Sequence, residues 1–234
     1  MTDSFIRFSD VSFAYPEQSY LFDGLSFELG PEERVALVGP NGSGKTTLLH
    51  LIVGLLWPDE GEIEAYGRAR RTESDFHEVR ARTGLLFQDP EDQLFCPTVL
   101  EDVAFGPLNL GREPEEAHDI ARDTLRSLGL SGYEDRVTYR LSGGEKRLVS
   151  VATVLAMDPD VLLLDEPTAG LDREFVDRII DILQGLTVST IVVSHDAEFL
   201  RRVTVDTWRV TGGAVNECSL EEALTPEVLR SCRK

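Results

Sequence analysis

The chain has 234 residues and a mass of 26.0 kDa, which suits one or two domains with a sizeable buried core. Acidic residues outnumber basic ones and give a formal net charge of −19, so binding to nucleic-acid phosphates or anionic lipid head groups is disfavoured. No apolar run approaches the roughly 20 residues that span a bilayer, and the N-terminus lacks the pattern of a signal peptide. These features predict a globular protein that is neither secreted nor membrane-spanning and binds no nucleic acid.

The basic residues and the cysteines bear on the environment of the protein. Only three lysines are present, and the excess of arginine fits either a high-salt cytoplasm or an arginine-biased genome. Cys96, Cys218 and Cys232 are widely spaced and include no C-x-x-C pair. This spacing predicts free thiols in a reducing compartment rather than disulfides or a zinc site.

Two kinds of strand pattern alternate with helical patterns along the chain. Residues 5–8 and 25–29 alternate apolar and polar side chains, as in half-exposed antiparallel strands. Residues 35–38, 161–164 and 190–193 are instead continuous apolar runs, typical of strands covered on both faces. A helical pattern follows each of these runs, at residues 46–53, 174–183 and 196–203. Together they predict an α/β fold with a mainly parallel core sheet and N-terminal antiparallel strands.

The pattern changes between residues 89 and 158. An amphipathic helix is predicted from Glu113 to Leu128, ended by Gly129, and another helix from Glu145 to Met157. Because no buried-strand pattern occurs in this span, we interpret it as an inserted helical subdomain. The predicted organisation is one domain, with residues 1–88 and 159–234 as a nucleotide-binding core and 89–158 as the helical subdomain.

A glycine-rich loop follows the first buried run. It matches G-x-x-x-x-G-K-[ST] between a strand and a helix, the context that a phosphate-binding loop of a P-loop NTPase requires. In such a loop, backbone N–H groups converge on phosphate oxygens, Lys45 reaches the terminal phosphates and the Thr46 hydroxyl ligates Mg²⁺. The predicted nucleotide-binding residues are Gly39, Pro40, Asn41, Gly42, Ser43, Gly44, Lys45, Thr46 and Thr47.

Two carboxylates end the second buried run. Asp165 closes a fully apolar strand, where its charge is costly unless it meets a cation through bound water. Glu166 follows and would point at the γ-phosphate, where a carboxylate acts as general base on water. The alternative, that the two acids only cap the next helix, is disfavoured beside a phosphate-binding loop.

Further motifs resemble one family. The sequence L-S-G-G-E, about twenty residues before the strand that ends at Asp165, comprises Leu141, Ser142, Gly143, Gly144 and Glu145. At this spacing it resembles the signature motif of ATP-binding-cassette (ABC) ATPases, and the family's other motifs occur in order. The resemblance implies that Tyr15 stacks on adenine, Gln88 is the Q-loop glutamine, Asp172 belongs to the D-loop and His195 is the switch histidine.

The resemblance also implies chemistry and a partner. Glu166 and His195 become the catalytic residues of an ATPase whose cofactors are ATP and Mg²⁺, and Thr46, Gln88 and Asp165 hold the metal, Asp165 through water. The signature serine and glycines form a second anion-binding nest, although one site needs only one phosphate-binding loop. In this family two subunits pair head to tail, and each signature covers the ATP of the other. The expected partner is a second ATPase subunit, in a homodimer or a heterodimer.

A narrower resemblance concerns transport. Residues 87–95 and 97–111 resemble energy-coupling-factor ATPases, in particular cobalt- and nickel-type import subunits, and residues 145–157 are similar to the metal-ion branch. The implied function is to power uptake of cobalt or nickel through a transmembrane scaffold subunit and a substrate-capture membrane subunit. The protein would then be peripheral on the cytoplasmic face of the cell membrane. The alternatives are a vitamin-type energy-coupling-factor importer or another ABC transporter.

The same resemblance predicts a docking groove. In the family, a groove between the core and the helical subdomain receives a short helix of the membrane partner. In this chain the groove would be lined by residues 88–110, whose apolar members include Leu94, Phe95, Val99, Leu100 and Phe105. The alternative is that all of these side chains pack internally.

Overall fold

The computed structural model of the protein describes residues 4–223. The strands are β1 (Ile6–Phe13), β2 (Phe22–Leu29), β3 (Arg34–Val38), β4 (Glu60–Ala65), β5 (Arg68–Ala69), β6 (Thr83–Leu86), β7 (Val161–Asp165), β8 (Ser189–Val193), β9 (Asp206–Thr211) and β10 (Ala214–Glu217). The helices are α1 (Lys45–Ile52), α2 (Glu73–Arg82), α3 (Val99–Asn109), α4 (Pro114–Ser127), α5 (Gly143–Leu155), α6 (Arg173–Gln184), α7 (Ala197–Val203) and α8 (Leu220–Ala223).

The strands form two sheets. The six-stranded sheet has the order β10-β9-β3-β8-β7-β6, and all its neighbours are parallel except the antiparallel pair β9–β10. The four-stranded sheet has the order β2-β1-β4-β5 and is antiparallel throughout. The predicted α/β class, with a mainly parallel core sheet and N-terminal antiparallel strands, is confirmed.

The parallel sheet is covered on both faces, which explains its continuous apolar runs. Successive residues of β7 alternate between two cores: Val161 and Leu163 join the cluster formed with the antiparallel sheet and α1, whereas Leu162 and Leu164 join the cluster formed with the helices on the other face. Each strand of this kind therefore needs apolar side chains at every position.

Helices fill the span that the sequence assigned to the helical subdomain. The helices α3, α4 and α5 pack on one another there, and the β pairing found between residues 89 and 158 is one isolated bridge from Thr98 to Val137. The division of the chain into core and subdomain stays a prediction, and residues 224–234 of the proposed core lie outside the described part. Cys96 and Cys218 carry free thiols, while Cys232 lies outside the described residues.

Several elements escaped the sequence analysis. Strand β6 has only four residues, one of them Gly84, which is too little for an apolar pattern to stand out. Helix α3 contains Gly106 and Pro107, both unfavourable in a helix interior, although Thr98 and Glu101 form a capping box that signals its start. The predicted helix at residues 145–157 begins two residues earlier because Ser142 is its N-cap.

Among residues 4–223, no helix combines the length and the apolar character that crossing a membrane requires.

The contact between β6 and α5 gives the first testable prediction. A Cβ atom added at Gly84 would lie 2.1 Å from Val154 Cγ1 and 3.2 Å from Leu162 Cδ2. We expect Gly84→Ala to lower the free energy of unfolding by about 1–3 kcal/mol, because the added methyl overpacks a close contact. Urea denaturation would measure the change.

The matched control is Gly185→Ala at the end of α6. Gly185 has right-handed helical backbone angles, and the nearest atom to an added Cβ is the Ile182 carbonyl oxygen at 3.4 Å. This variant should be close to neutral. Equal destabilisation by the two substitutions would contradict the packing argument.

Candidate active site

A cavity of about 910 Å³ opens at the carboxyl ends of the parallel strands. The segments that follow β3, β6, β7 and β8 meet there, because the ends of parallel strands share one edge of the sheet. The cavity is lined by Tyr15, Gln18, Leu21, Asn41, Gly42, Gly44, Lys45, Thr46, Thr47, Gln88, Asp165, Glu166, Ala169, Val193 and His195. Predicted nucleotide-binding, metal-binding and catalytic residues from five separate segments are thus brought together.

The loop between β3 and α1 has the geometry that phosphate binding needs. Gly44 has a φ of +102°, and a Cβ there would lie 2.6 Å from the ring of Phe22, so only glycine fits. Lys45 begins α1 and donates from Nζ to the carbonyl oxygens of Gly39 at 2.9 Å and Pro40 at 3.0 Å. The Ser43 hydroxyl is buried without a hydrogen-bond partner among the described residues. A buried hydroxyl donor, a cation and a helix N-terminus on one loop suit a phosphate group.

Oxygen donors suited to Mg²⁺ lie next to this loop. Thr46 Oγ1 donates a 2.6 Å hydrogen bond to Asp165 Oδ2, and Gln88 lines the same cavity. No cluster of three His, Cys, Asp or Glu side chains that would hold a metal by itself occurs within residues 4–223. The donor set therefore fits Mg²⁺, which takes few protein ligands and completes its shell with phosphate and water oxygens.

Glu166 and His195 form a polar pair beside these donors. Glu166 has a φ of 47°, and its N–H donates to the Val193 carbonyl oxygen at 2.9 Å. His195 Nε2 lies 3.2 Å from Glu166 Oε1. Burial raises the pKa of Glu166 to about 7, with Asp165 adding to the rise, and burial also lowers the pKa of His195. A carboxyl group with a pKa near neutrality is suited to accept a proton from water.

Tyr15 lies in the same cavity as the phosphate-binding loop. Its hydroxyl lies 3.0 Å from Thr47 Oγ1, and its ring meets that of Phe13 edge-on at 5.0 Å. The side chain is 36% exposed. The hydroxyl contact anchors the ring beside the loop, and its stacking on adenine stays a prediction.

The signature residues lie elsewhere. None of Leu141, Ser142, Gly143, Gly144 and Glu145 is among the described residues that line the cavity. Ser142 instead caps α5, and a Cβ at Gly144 would lie 2.5 Å from the ring of Phe175 on α6. Asp172 caps α6 by accepting a 3.2 Å hydrogen bond from the Phe175 N–H. The signature and D-loop residues therefore sit on two helix starts that pack against each other.

Glu145 is used within the chain. Its Oε2 accepts from the N–H of Ser142 at 2.8 Å and from the Ser142 hydroxyl at 2.9 Å. Its Oε1 accepts from Tyr133 Oη at 2.8 Å and from Arg136 Nη1 at 2.9 Å. These bonds, the one from the Ser142 N–H first, lower the pKa of Glu145. The carboxylate therefore joins the start of α5 to the loop that precedes it.

The sequence analysis missed some residues of this region. Gln18, Leu21 and Val193 line the cavity beside predicted residues, and nothing in their local sequence distinguishes them. Ala169, which begins the stretch that resembles the D-loop, also lines the cavity. Arg147, on α5, donates to the carbonyl oxygens of Phe87 and Gln88. No local pattern shows where a long side chain such as that of Arg147 reaches.

Removal of the Glu145 carboxylate tests its capping role. We expect Glu145→Ala to lower the free energy of unfolding by about 2 kcal/mol, because it removes a capping box and two further charge-assisted bonds. Thermal or urea denaturation would measure this. Glu116→Ala, in the first turn of α4, is the control: within residues 4–223 the ion pair of Glu116 is an exposed one with Arg112, so its loss should cost less than about 0.5 kcal/mol. Similar losses from both variants would contradict the assignment.

Comparison with known proteins identifies the family. Residues 22–169 match the family model described as ABC transporter. A Brucella suis protein provisionally named an ABC transporter ATP-binding protein is 55% identical over 79% of this chain and 77% of its own. The energy-coupling factor transporter ATP-binding proteins EcfA of Methanothermobacter thermautotrophicus and Methanocaldococcus jannaschii are 43% and 41% identical, each over 83% of this chain and over 64% and 71% of their own lengths.

Solved structures agree with the sequence relatives. CbiO1 of Clostridium perfringens, described as part of the ABC transporter complex CbiONQ, superposes with a TM-score of 0.83 at 29% identity, over 97% of this chain and 93% of its own. The ATP-binding cassette MJ0796, solved as a dimer in a post-hydrolysis state with ADP and Pi, gives 0.82 at 26% identity, over 92% and 98%. With these matches and a cavity that unites its phosphate-binding loop and its acidic strand end, this chain belongs to the ABC transporter ATPase family.

Proposed function

We propose that ATP hydrolysis by this ABC ATPase takes place in the cavity described above. One observation carries the proposal: Lys45, the Thr46–Asp165 pair and the Glu166–His195 pair all line one cavity. Lys45 and the loop N–H groups bind the phosphates, and Thr46, Gln88 and Asp165 hold Mg²⁺. The metal neutralises charge on the terminal phosphates when bound. Glu166 accepts the proton of the attacking water, and His195 orients the carboxylate.

The proposal extends to a pair of ATPase subunits. The start of α5 carries a serine and two glycines, but the signature residues do not line the cavity of their own chain within the described residues. A second subunit facing the cavity could supply its own signature residues to the bound ATP. This head-to-tail arrangement, in a homodimer or heterodimer, is supported by the dimeric state of the related cassette MJ0796.

We further propose that the subunit powers an importer of the energy-coupling-factor type. Its EcfA relatives and its likeness to CbiO1 support this class. The proposed solute is cobalt or nickel, on the motif resemblance of residues 145–157. In this role the protein is bound to the cytoplasmic face of the cell membrane through a transmembrane scaffold, which works with a substrate-capture subunit. A vitamin-type importer or another ABC transporter is the alternative.

A second cavity supports membrane attachment through a protein. This apolar groove has a volume of about 240 Å³ and includes Phe95 and Phe105, which are 64% and 42% exposed. Their rings pack edge-to-face at 4.8 Å. Val99 is fully buried, while Leu94 and Leu100 pack against the core. Some apolar side chains of the predicted groove segment therefore pack internally, whereas Phe95 and Phe105 stay exposed. These two aromatic side chains are the proposed contacts for a helix of the scaffold.

Glu166→Gln tests the hydrolysis site. The amide keeps the shape of the side chain but does not accept the proton of water, so turnover should fall by roughly 10²–10⁴-fold while ATP binding persists. Phosphate release and nucleotide affinity would be measured on one preparation. Glu174→Gln, an exposed change at the start of α6, is the control and should leave both unchanged. Unaltered turnover in Glu166→Gln would remove Glu166 from this role.

The same variant tests the solute in cells. Cells whose only copy carries Glu166→Gln should lose accumulation of cobalt or nickel, measured by elemental analysis, relative to cells with the unaltered protein. Loss of vitamin uptake with normal metal content would favour the alternative importer. The purified enzyme and the cells therefore test the chemistry and the solute separately.

Phe95→Asp tests the groove. A carboxylate on the groove surface should weaken co-purification with the transmembrane scaffold, because burying it against an apolar helix is costly. ATP affinity, measured on the same preparation, should stay unchanged and thereby show that the protein is folded. Val205→Asp is the control, since Val205 is 82% exposed and lines a different cavity. Normal scaffold binding by folded Phe95→Asp would place the docking surface elsewhere.

A further inference from the structure

The segment that carries Gln88 is bound to α5 by side chains. We define the Gln88 segment as residues 87–93, which follow β6. The Gln93 side chain accepts from the Phe87 N–H at 3.3 Å and donates to the Ser150 carbonyl oxygen at 3.0 Å and to Thr153 Oγ1 at 2.8 Å. Lys146 Nζ pairs with Glu91 Oε1 at 2.5 Å. The Gln88 segment is therefore bound to α5 as well as continuous with strand β6 of the core sheet.

Arg147 makes the central contact between the two. Its side chain leaves the second turn of α5 and is only 2% exposed. Nη1 donates to the Phe87 carbonyl oxygen at 2.7 Å, and Nη2 donates to the Gln88 carbonyl oxygen. Two successive backbone carbonyls are thus held by one planar guanidinium, which fixes both the position and the direction of the chain at Gln88.

Burying the Arg147 guanidinium at this position is energetically unfavourable. Its Nε has no hydrogen-bond partner among the described residues, and burial lowers the pKa of its guanidinium. No salt bridge to Arg147 occurs within residues 4–223, although the charges of Asp89, Asp165 and Glu166 act on it from a distance. A buried guanidinium without a close ion pair costs more than an apolar side chain of similar size. The cost calls for a role beyond packing.

We propose that Arg147 is a positioning residue for hydrolysis: by holding the Phe87 and Gln88 carbonyls against α5, it keeps the Gln88 side chain in the ATP cavity. The proposal rests on the role proposed above for Gln88. It ties the helix that begins with the signature serine directly to a residue of the phosphate end of the cavity. Gln88, Gly143 and Arg147 also line one smaller cavity of about 440 Å³, so the link is short.

A purely structural arginine provides the matched control. Arg70 is 6% exposed and donates to the Ala65 carbonyl oxygen at 3.1 and 2.7 Å and to the Asp75 carbonyl oxygen at 2.9 Å. Neither of these carbonyls belongs to a residue that lines the ATP cavity. Arg70→Met should therefore lower stability without changing the turnover number of the folded protein.

Hydrogen exchange of the full-length protein tests the contact itself. In Arg147→Met, amides of the Gln88 segment should exchange at least about tenfold faster, because two charge-assisted hydrogen bonds are lost. Amides of β3 should keep their rates. Arg147→Lys retains a charge, but its single ammonium group does not bind both carbonyl oxygens as the planar guanidinium does. Exchange in this variant should therefore be faster than in the unaltered protein and slower than in Arg147→Met. Arg147→Lys also replaces Arg147→Met in the test if Arg147→Met does not fold. Unchanged exchange in the segment in either variant would overturn the proposal.

A double-mutant cycle tests whether Arg147 acts through Gln88. Arg147→Met should lower kcat by roughly tenfold with little change in the KM for ATP, whereas Arg70→Met should change neither. In a Gln88→Ala background, Arg147→Met should change kcat by less than about twofold. Additive losses would overturn the proposed route. If Gln88→Ala alone left kcat unchanged, the role of Gln88 and this inference would both fall, while the exchange rates would still report the contact.

Discussion

The 2.6 Å hydrogen bond between Thr46 Oγ1 and Asp165 Oδ2 joins residues that are 119 positions apart in the chain. Its geometry follows from one constraint, the parallel pairing of β3, β8 and β7. This pairing places both Leu37 of β3 and Asp165 of β7 opposite Val193 of β8, so that the three strands end at one edge. The loop after β3, the acids at the end of β7 and the histidine after β8 all meet at that edge. Without this register, the glycine-rich loop after β3 and the two acidic residues at the end of β7 would not line the same cavity.

The electrostatics of the site are local and oppose the net charge. The chain carries −19, yet its cavity suits polyphosphate because Lys45, the loop N–H groups and the start of α1 face it. On the other side, burial raises the pKa of Glu166 to about 7. The same low-dielectric surroundings lower the pKa of His195. Burial therefore acts in opposite directions on a carboxyl and an imidazole that lie 3.2 Å apart, and it favours the neutral form of both.

Helix α5 contacts two other segments, the start of α6 and the Gln88 segment. Its first turn holds Ser142 and Glu145 in a capping box, and its second turn sends Arg147 to the chain at Gln88. Gly144 allows α6 to approach closely through Phe175, whose N–H is capped by Asp172. A displacement of α5 would therefore move both the start of α6 and the Gln88 segment. Glu145, which the family resemblance placed among the residues facing ATP, makes its four bonds inside its own chain.

The amino-acid sequence by itself determined the fold class, the phosphate-binding loop and the acidic strand end, because each depends on a short contiguous pattern with a local physical cause. Tertiary structure decided which groups the long side chains contact and which apolar residues are exposed. Arg147 and Phe95 illustrate this, since the guanidinium bonds with carbonyls from another segment and the aromatic ring stays on the surface while neighbouring Val99 is buried. Strand β6 likewise depends on its pairing with β7, not on its own four residues. These outcomes depend on strand register and helix packing between distant segments, which no local pattern encodes.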